Sequence, residues 1–227
     1  ADPDFGDAYE MICHIQQSLA MHDIQNQNYD AAELKLIKAD QAARQTDPLD
    51  ARAMSQRGFV SKSFAQVAEG RGYRARSAGI AAQQQRVTEA REYYARAERF
   101  YDEAGRHYAE AERIFEQALR LDPDDAPAQL GMGNVLYARN KLDEAYAACS
   151  RAAELIPNYT SAYHDLALVC QQKMATDPGE ADRWCRRALA AWQRTLELMQ
   201  GDAAYTTDYA TTTILPQIAK LKARCGR

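Results

Sequence analysis

The stretch APAQLGMGNVLYARNKLDEAYAACSRAAELIPNY (residues 126–159) decides the fold. Two helix-favouring runs flank Asn140-Lys141-Leu142, and proline closes each end of the block, at Pro123 and Pro157. Spacings of three and four, as in Ala145, Cys149 and Ala152, put small and apolar residues on one helical face. The block also repeats. Ala111, Phe115 and Ala118 return as Ala145, Cys149 and Ala152. Ala128, Met132, Gly133 and Leu136 return as Ala162, Leu166, Ala167 and Cys170, and Leu121-Pro123 as Leu155-Pro157, always 34 residues apart. A fixed period of this length is the mark of stacked helical hairpins, each burying its apolar face on its neighbours.

Residues 126–159 resemble the tetratricopeptide repeat family. Met132-Gly133 stands at its Leu-Gly position and Leu136 at its Tyr position. Ala145, Cys149, Ala152 and Pro157 follow at its small, aromatic, small and proline positions, while Gln129 replaces its tryptophan. The resemblance implies an all-α, right-handed superhelical α-solenoid of antiparallel helix pairs, with about four to five repeats and a C-terminal capping helix. It also implies a bacterial, non-catalytic protein.

Working outward, the chain reads as one domain, 1–227. Its repeats fall at 13–46, 51–90 (irregular), 91–125, 126–159 and 160–200, with a cap at 206–225 carrying Ile214, Leu215, Ile218 and Leu221. Gly201-Asp202 is the expected break before the cap. Met132, Leu136, Leu155 and Tyr163 are expected to fill space beside Gly133, Ala145, Ala152 and Ala167. Trp184, Ala188 and Trp192 are expected inward. Asp47-Pro48-Leu49-Asp50 and Asp122-Pro123-Asp124-Asp125 end one helix and cap the next, because proline cannot continue a helix and aspartate accepts from free N–H groups. Pro48 and Pro123 lie 75 residues apart rather than 68. The surplus is expected to lengthen helices on both sides of a turn at Gly70-Arg71-Gly72, with a continuous helix over 73–104.

Composition narrows the function. A net charge of −4 argues against a nucleic-acid binder, which needs surplus cations to displace counterions. No apolar run reaches the length of a membrane span. Five cysteines without a CxxC pair give no zinc ribbon or redox motif. Cys149 and Cys170 take packing positions. An exported protein could pair two of the five, and spacing does not say which. The opening Ala1-Asp2-Pro3-Asp4 has no initiating Met, which fits a mature exported chain and favours the bacterial periplasm over the cytoplasm.

No catalytic residue, metal site or cofactor motif is expected. His14, His22, His107 and His164 lack ligand spacing, and His14 and Cys13, being adjacent on a helix, point apart. Gly70-Arg71-Gly72 lacks the Lys-Ser/Thr of a phosphate loop. Arg71, Arg74 and Arg76 around Tyr73 read as a solvated helix start in preference to an anion site. The crowded Tyr93, Tyr94, Phe100, Tyr101 and Tyr108 read as core filling, with Tyr93 or Tyr94 left for the surface.

In the tetratricopeptide family the first helix of each pair lines the concave face, so the resemblance assigns partner-binding positions. They are Leu130, Asn134, Tyr137 and Ala138, then His164, Leu168, Gln171 and Gln172. Arg52, Phe59, Lys62 and Arg99 extend the set. One branch of the family grips a C-terminal carboxylate with paired Lys and Asn. Here Asn134 matches but Leu130 stands for the Lys, so that clamp is excluded. The expected partner is a protein or peptide segment in the groove, in an envelope or secretion assembly, with homo-oligomers compatible. The alternative is a small-ligand-binding protein resembling transporter-associated members, with a closed pocket built by the lengthened helices.

Overall fold

A computed structural model describes residues 3–85, 88–200 and 209–225. The described residues hold helices and no strand. The chain divides into two compact units, 1–123 and 124–227.

Unit 1 contains α1 (Pro3–Gln25), α2 (Tyr29–Ala43), α3 (Ala51–Gln84) and α4 (Ala90–Leu121). Helix α1 stops because Gln27 enters the left-handed region (φ 58°). Its N–H reaches the Ile24 carbonyl while that of Asn28 reaches Asp23, the paired bonds of a Schellman close. Helix α3 begins where the Asp50 carboxylate accepts from the N–H groups of Arg52 and Ala53. One cluster joins Cys13, Ala39, Ala42, Ala43 and Val60; another joins Ala20, Ala32, Leu36 and Val67.

The expected turn at Gly70-Arg71-Gly72 does not exist, nor does a helix over 73–104. Helix α3 runs through both glycines, and the chain reverses between α3 and α4 instead. Segments 51–90 and 91–125 are therefore the two arms of one long hairpin, and the described residues form four pairs. The glycines are notches rather than breaks. A Cβ on Gly58 would lie 2.7 Å from the Phe115 ring, on Gly72 2.7 Å from Tyr101, and on Gly79 3.0 Å from Tyr94. The register is antiparallel: a heptad step along α3 from Gly72 to Gly79 is matched by a heptad step back along α4 from Tyr101 to Tyr94. Ala65 and Tyr108, both buried, occupy the intervening heptad. A column of small residues on α3 thus faces a column of aromatic residues on α4, which lets long helices approach closely and explains their length.

Unit 2 contains α5 (Ala126–Ala138), α6 (Leu142–Leu155), α7 (Thr160–Thr176), a 3-10 turn (Pro178–Glu180) and α8 (Ala181–Gln200). A π turn (Ala210–Ile214) then leads into α9 (Leu215–Cys225). The Asp125 carboxylate accepts from the Ala128 N–H, and Asn140 (φ 59°) closes α5 with the same paired bonds seen after α1. Gly133 is required because a Cβ there would strike the Cys149 sulfur. Met132, Leu136, Cys149, Ala152, Ala162, Leu166, Ala167 and Cys170 are all buried, as the 34-residue period requires. Leu155 and Tyr163 are half-buried only. Trp184, Ala188 and Trp192 point inward.

The cap packs Ile214, Ile218 and Leu221 into unit 2, whereas Leu215 turns to solvent, one position off their helical stripe. A disulfide between Cys185 of α8 and Cys225 of α9 ties it down. Cys13, Cys149 and Cys170 remain buried free thiols. The break expected at Gly201-Asp202, and cap positions 206–208, lie outside the described residues.

Candidate functional site

Helix α5, capped by Asp125, carries Leu130, Asn134, Tyr137 and Ala138 from its second turn to its C-terminal end, and the 34-residue period places His164, Leu168, Gln171 and Gln172 at equivalent points of α7. Leu130 is buried, with 6% of its surface exposed, and presents no groove surface. Asn134 bridges the two helices: its Nδ2 donates to the Leu130 carbonyl (3.0 Å) and to Asp165 Oδ2 (2.6 Å). The other Asp165 oxygen lies 2.9 Å from His164 Nδ1, and His164 Nε2 lies 2.9 Å from the Tyr209 hydroxyl. The His164 ring also meets Trp192 edge-on at 5.1 Å.

Gln171 is held in the same way. Trp192 Nε1 donates to Gln171 Oε1 (3.1 Å), and Gln171 Nε2 donates to Gln217 Oε1 of the cap (2.9 Å). Asn134, His164 and Gln171 are thus bound by the chain itself, and the cap covers part of the α7 face. Tyr137 and Leu168 are left half-buried, Ala138 and Gln172 exposed. The Tyr137 phenol has no hydrogen-bond partner among the described residues. Burial and the neighbouring Asp165 charge both raise its pKa, so it stays a neutral donor at physiological pH.

In unit 1, Arg52 is exposed, with Nε 3.7 Å from Glu10 Oε2. It rims an open cavity of about 390 Å³ shared with Asp7, Met11, His14 and Gln56. Phe59 packs edge-to-face on Phe115 at 5.1 Å, and Lys62 Nζ lies 5.3 Å above the Phe59 ring. Arg99 is not brought to them. It belongs to α4, the second arm of the hairpin, where the register sets it level with Arg74, about 18 Å along the axis from Lys62. Among the described residues no group of three or more His, Cys, Asp or Glu is arranged to hold a metal ion. No described helix is long and apolar enough to cross a membrane.

Residues 103–168 match the family model described as Tetratricopeptide repeat. Residues 103–168 thus carry tetratricopeptide repeat sequence. No curated protein shows significant similarity to the sequence. Among solved structures, the chain is similar to TTC0263, a thermophilic tetratricopeptide protein of Thermus thermophilus. Identity is 17%, coverage 93% of this chain and 99% of that one, and the TM-score 0.44. PilF of Pseudomonas aeruginosa shares 16% identity over 97% of this chain and 79% of its own, with a TM-score of 0.41. The first repeat domain of Spaghetti (RPAP3), solved with the HSP90 peptide SRMEEVD, shares 15% over 70% and 96%, with a TM-score of 0.42.

Asp165, Trp192, Tyr209 and Gln217 organise this face of unit 2, and no motif in the sequence singled them out for it. Asp165 had a legible signal, since it sits one residue beyond the Leu130-equivalent position on the next first helix. The contributions of Tyr209 and Gln217 depend on where the cap docks, which no local pattern encodes.

Proposed function

We propose that the chain is a non-catalytic binding module that takes a segment of a partner protein along the α5–α7 strip of unit 2, with Tyr137, Leu168 and Gln172 as the contact residues. Tyr137 carries this reading: a neutral, half-buried phenol with an unused donor, on the same strip as the half-buried Leu168, suits a peptide backbone carbonyl flanked by an apolar anchor. Asn134 and Asp165 act beneath it as supports, fixing α5 against α7. The Cys185–Cys225 disulfide favours an oxidising compartment, hence an exported protein of an envelope or secretion assembly. A homo-oligomer contact is expected through exposed apolar side chains of unit 1, among them Ile12, Ile15 and Leu19 on α1 and Leu34 and Ile37 on α2.

The test is affinity capture from the native organism with wild type, a Tyr137→Ala/Gln172→Ala variant and a control at the exposed Gln41 of α2, Gln41→Ala. Loss of the same partners from the double variant alone is expected, at about tenfold weaker binding for each contact removed. Equal recovery by all three would remove the strip from consideration.

A further inference from the structure

We propose that the lengthened part of the α3–α4 hairpin carries a second binding site, one for a carboxylate borne on or next to an aromatic ring. An open pocket of about 290 Å³ lies where the first turn of α2 meets this extension. From α3 it takes Arg71, Arg74, Ala75 and Ala78, which share one helical face; from α4 it takes Arg96 and Phe100, with Tyr29 and Asp30 of α2 and Tyr93 at the rim.

Arg71 is shielded rather than solvated, contrary to the sequence expectation, while Arg74 and Arg96 are exposed but each rests on an aromatic ring. The Arg71 side chain is 18% exposed, and its Nη2 lies 2.6 Å from both Asp30 and Glu33. Arg74 donates to the Gln27 carbonyl and stacks 4.9 Å over the Tyr29 ring. Arg96 stacks 5.7 Å over Phe100. Both nearby carboxylates are spent on Arg71, so Arg74 and Arg96 face the pocket with no carboxylate partner among the described residues.

Packing alone does not call for that surplus. The Tyr29 ring is already seated in the notch of Gly70, where a Cβ would collide with it. Two like charges held near each other cost free energy until an anion arrives. Planar guanidinium forks match a carboxylate, while Ala75 and Ala78 leave room for a ring among Tyr29, Tyr93 and Phe100. A phosphate dianion fits less well, because Asp30 and Glu33 repel the second charge.

The carboxylate could come from a free aromatic acid or from the C-terminal residue of a peptide. The experiment titrates the whole chain, followed by NMR, with N-acetylphenylalanine, its amide, phenylacetate and inorganic phosphate. Wild type, Arg74→Gln, Arg96→Gln and an Arg52→Gln control are compared, with circular dichroism confirming that each is folded. N-Acetylphenylalanine should bind at least about tenfold tighter than its amide and lose about tenfold or more in either pocket variant, but not in the control. Phenylacetate binding equally well points to a free acid, and binding of N-acetylphenylalanine alone points to a peptide terminus. The site is refuted if the amide binds as well as the acid, or if the pocket variants bind like wild type. Competition by phosphate as effective as by the aromatic acids also refutes it, as does no binding by any probe up to about 10 mM.

Discussion

Replacing Cys185 and Cys225 together with serine removes the tie between α8 and the cap. The bond closes a loop with a sequence separation of 40. Loop-closure entropy for that length corresponds to about 4 kcal/mol of stability lost when the link is cut. Burial of Ile214, Ile218 and Leu221 is unaffected in the folded state, at about 1.5–3 kcal/mol each, so the cap should remain docked after the bond is gone. The expected result is therefore a less stable protein with unchanged helix content, rather than an undocked cap. A loss of about 4 kcal/mol lowers the midpoint of thermal unfolding by about 8–16 °C for a cooperative unit of this chain's length, and by more for unit 2 unfolding alone. Circular dichroism melts of the oxidised wild type, the reduced wild type and the double serine variant measure it. Thiol titration supplies the control. The native oxidised protein should show almost no reactive thiol, because Cys13, Cys149 and Cys170 are buried and burial pushes their pKa values up, Cys13 to about 11 and Cys170 to about 12. Denatured and oxidised, it should show those three; denatured and reduced, all five. Melting points within about 2 °C of each other across the three forms would refute the reasoning, as would five thiols in the denatured, unreduced protein.

Three further outcomes follow from the packing of unit 1. Gly70→Ala should destabilise by about 1–3 kcal/mol in urea unfolding, because the collision with Tyr29 outweighs the gain in helix propensity of roughly 1 kcal/mol; an increase in stability would contradict the notch. Gly105→Ala, where a Cβ meets nothing within 4 Å, should instead stabilise by about 0.5–1 kcal/mol in the same measurement. Burial raises the Glu69 carboxyl above its ordinary value, although the Tyr108 hydroxyl donating to it at 2.8 Å pulls the other way. The folded chain then keeps that proton to higher pH than the unfolded chain, so the contribution is full below the ordinary carboxylate value of 4.5 and is lost as pH rises through the raised one. Glu69→Gln should flatten the stability–pH curve across that window, and parallel curves for the two proteins would exclude the linkage.

The sequence by itself determined the helical class, the 34-residue pairs of unit 2 and the capping aspartates at 50 and 125. Each of these rests on local backbone chemistry or on a period within one helix face. The small column Gly58, Ala65, Gly72, Gly79 and the aromatic column Tyr94, Tyr101, Tyr108, Phe115 were also present to be read, as two heptad series. Their meaning was hidden because glycine inside a helix resembles a break until a ring from another helix is seen to need the space. Only the tertiary structure decided where the long hairpin reverses, since the chain there has neither glycine nor proline. It alone paired Cys185 with Cys225, because a disulfide depends on two Cβ atoms meeting across separate helices. It also showed Asn134, His164 and Gln171 bound to Asp165, Tyr209 and Gln217. Whether a polar side chain is free for a partner depends on which neighbours reach it first, and that is a property of packing rather than of spacing.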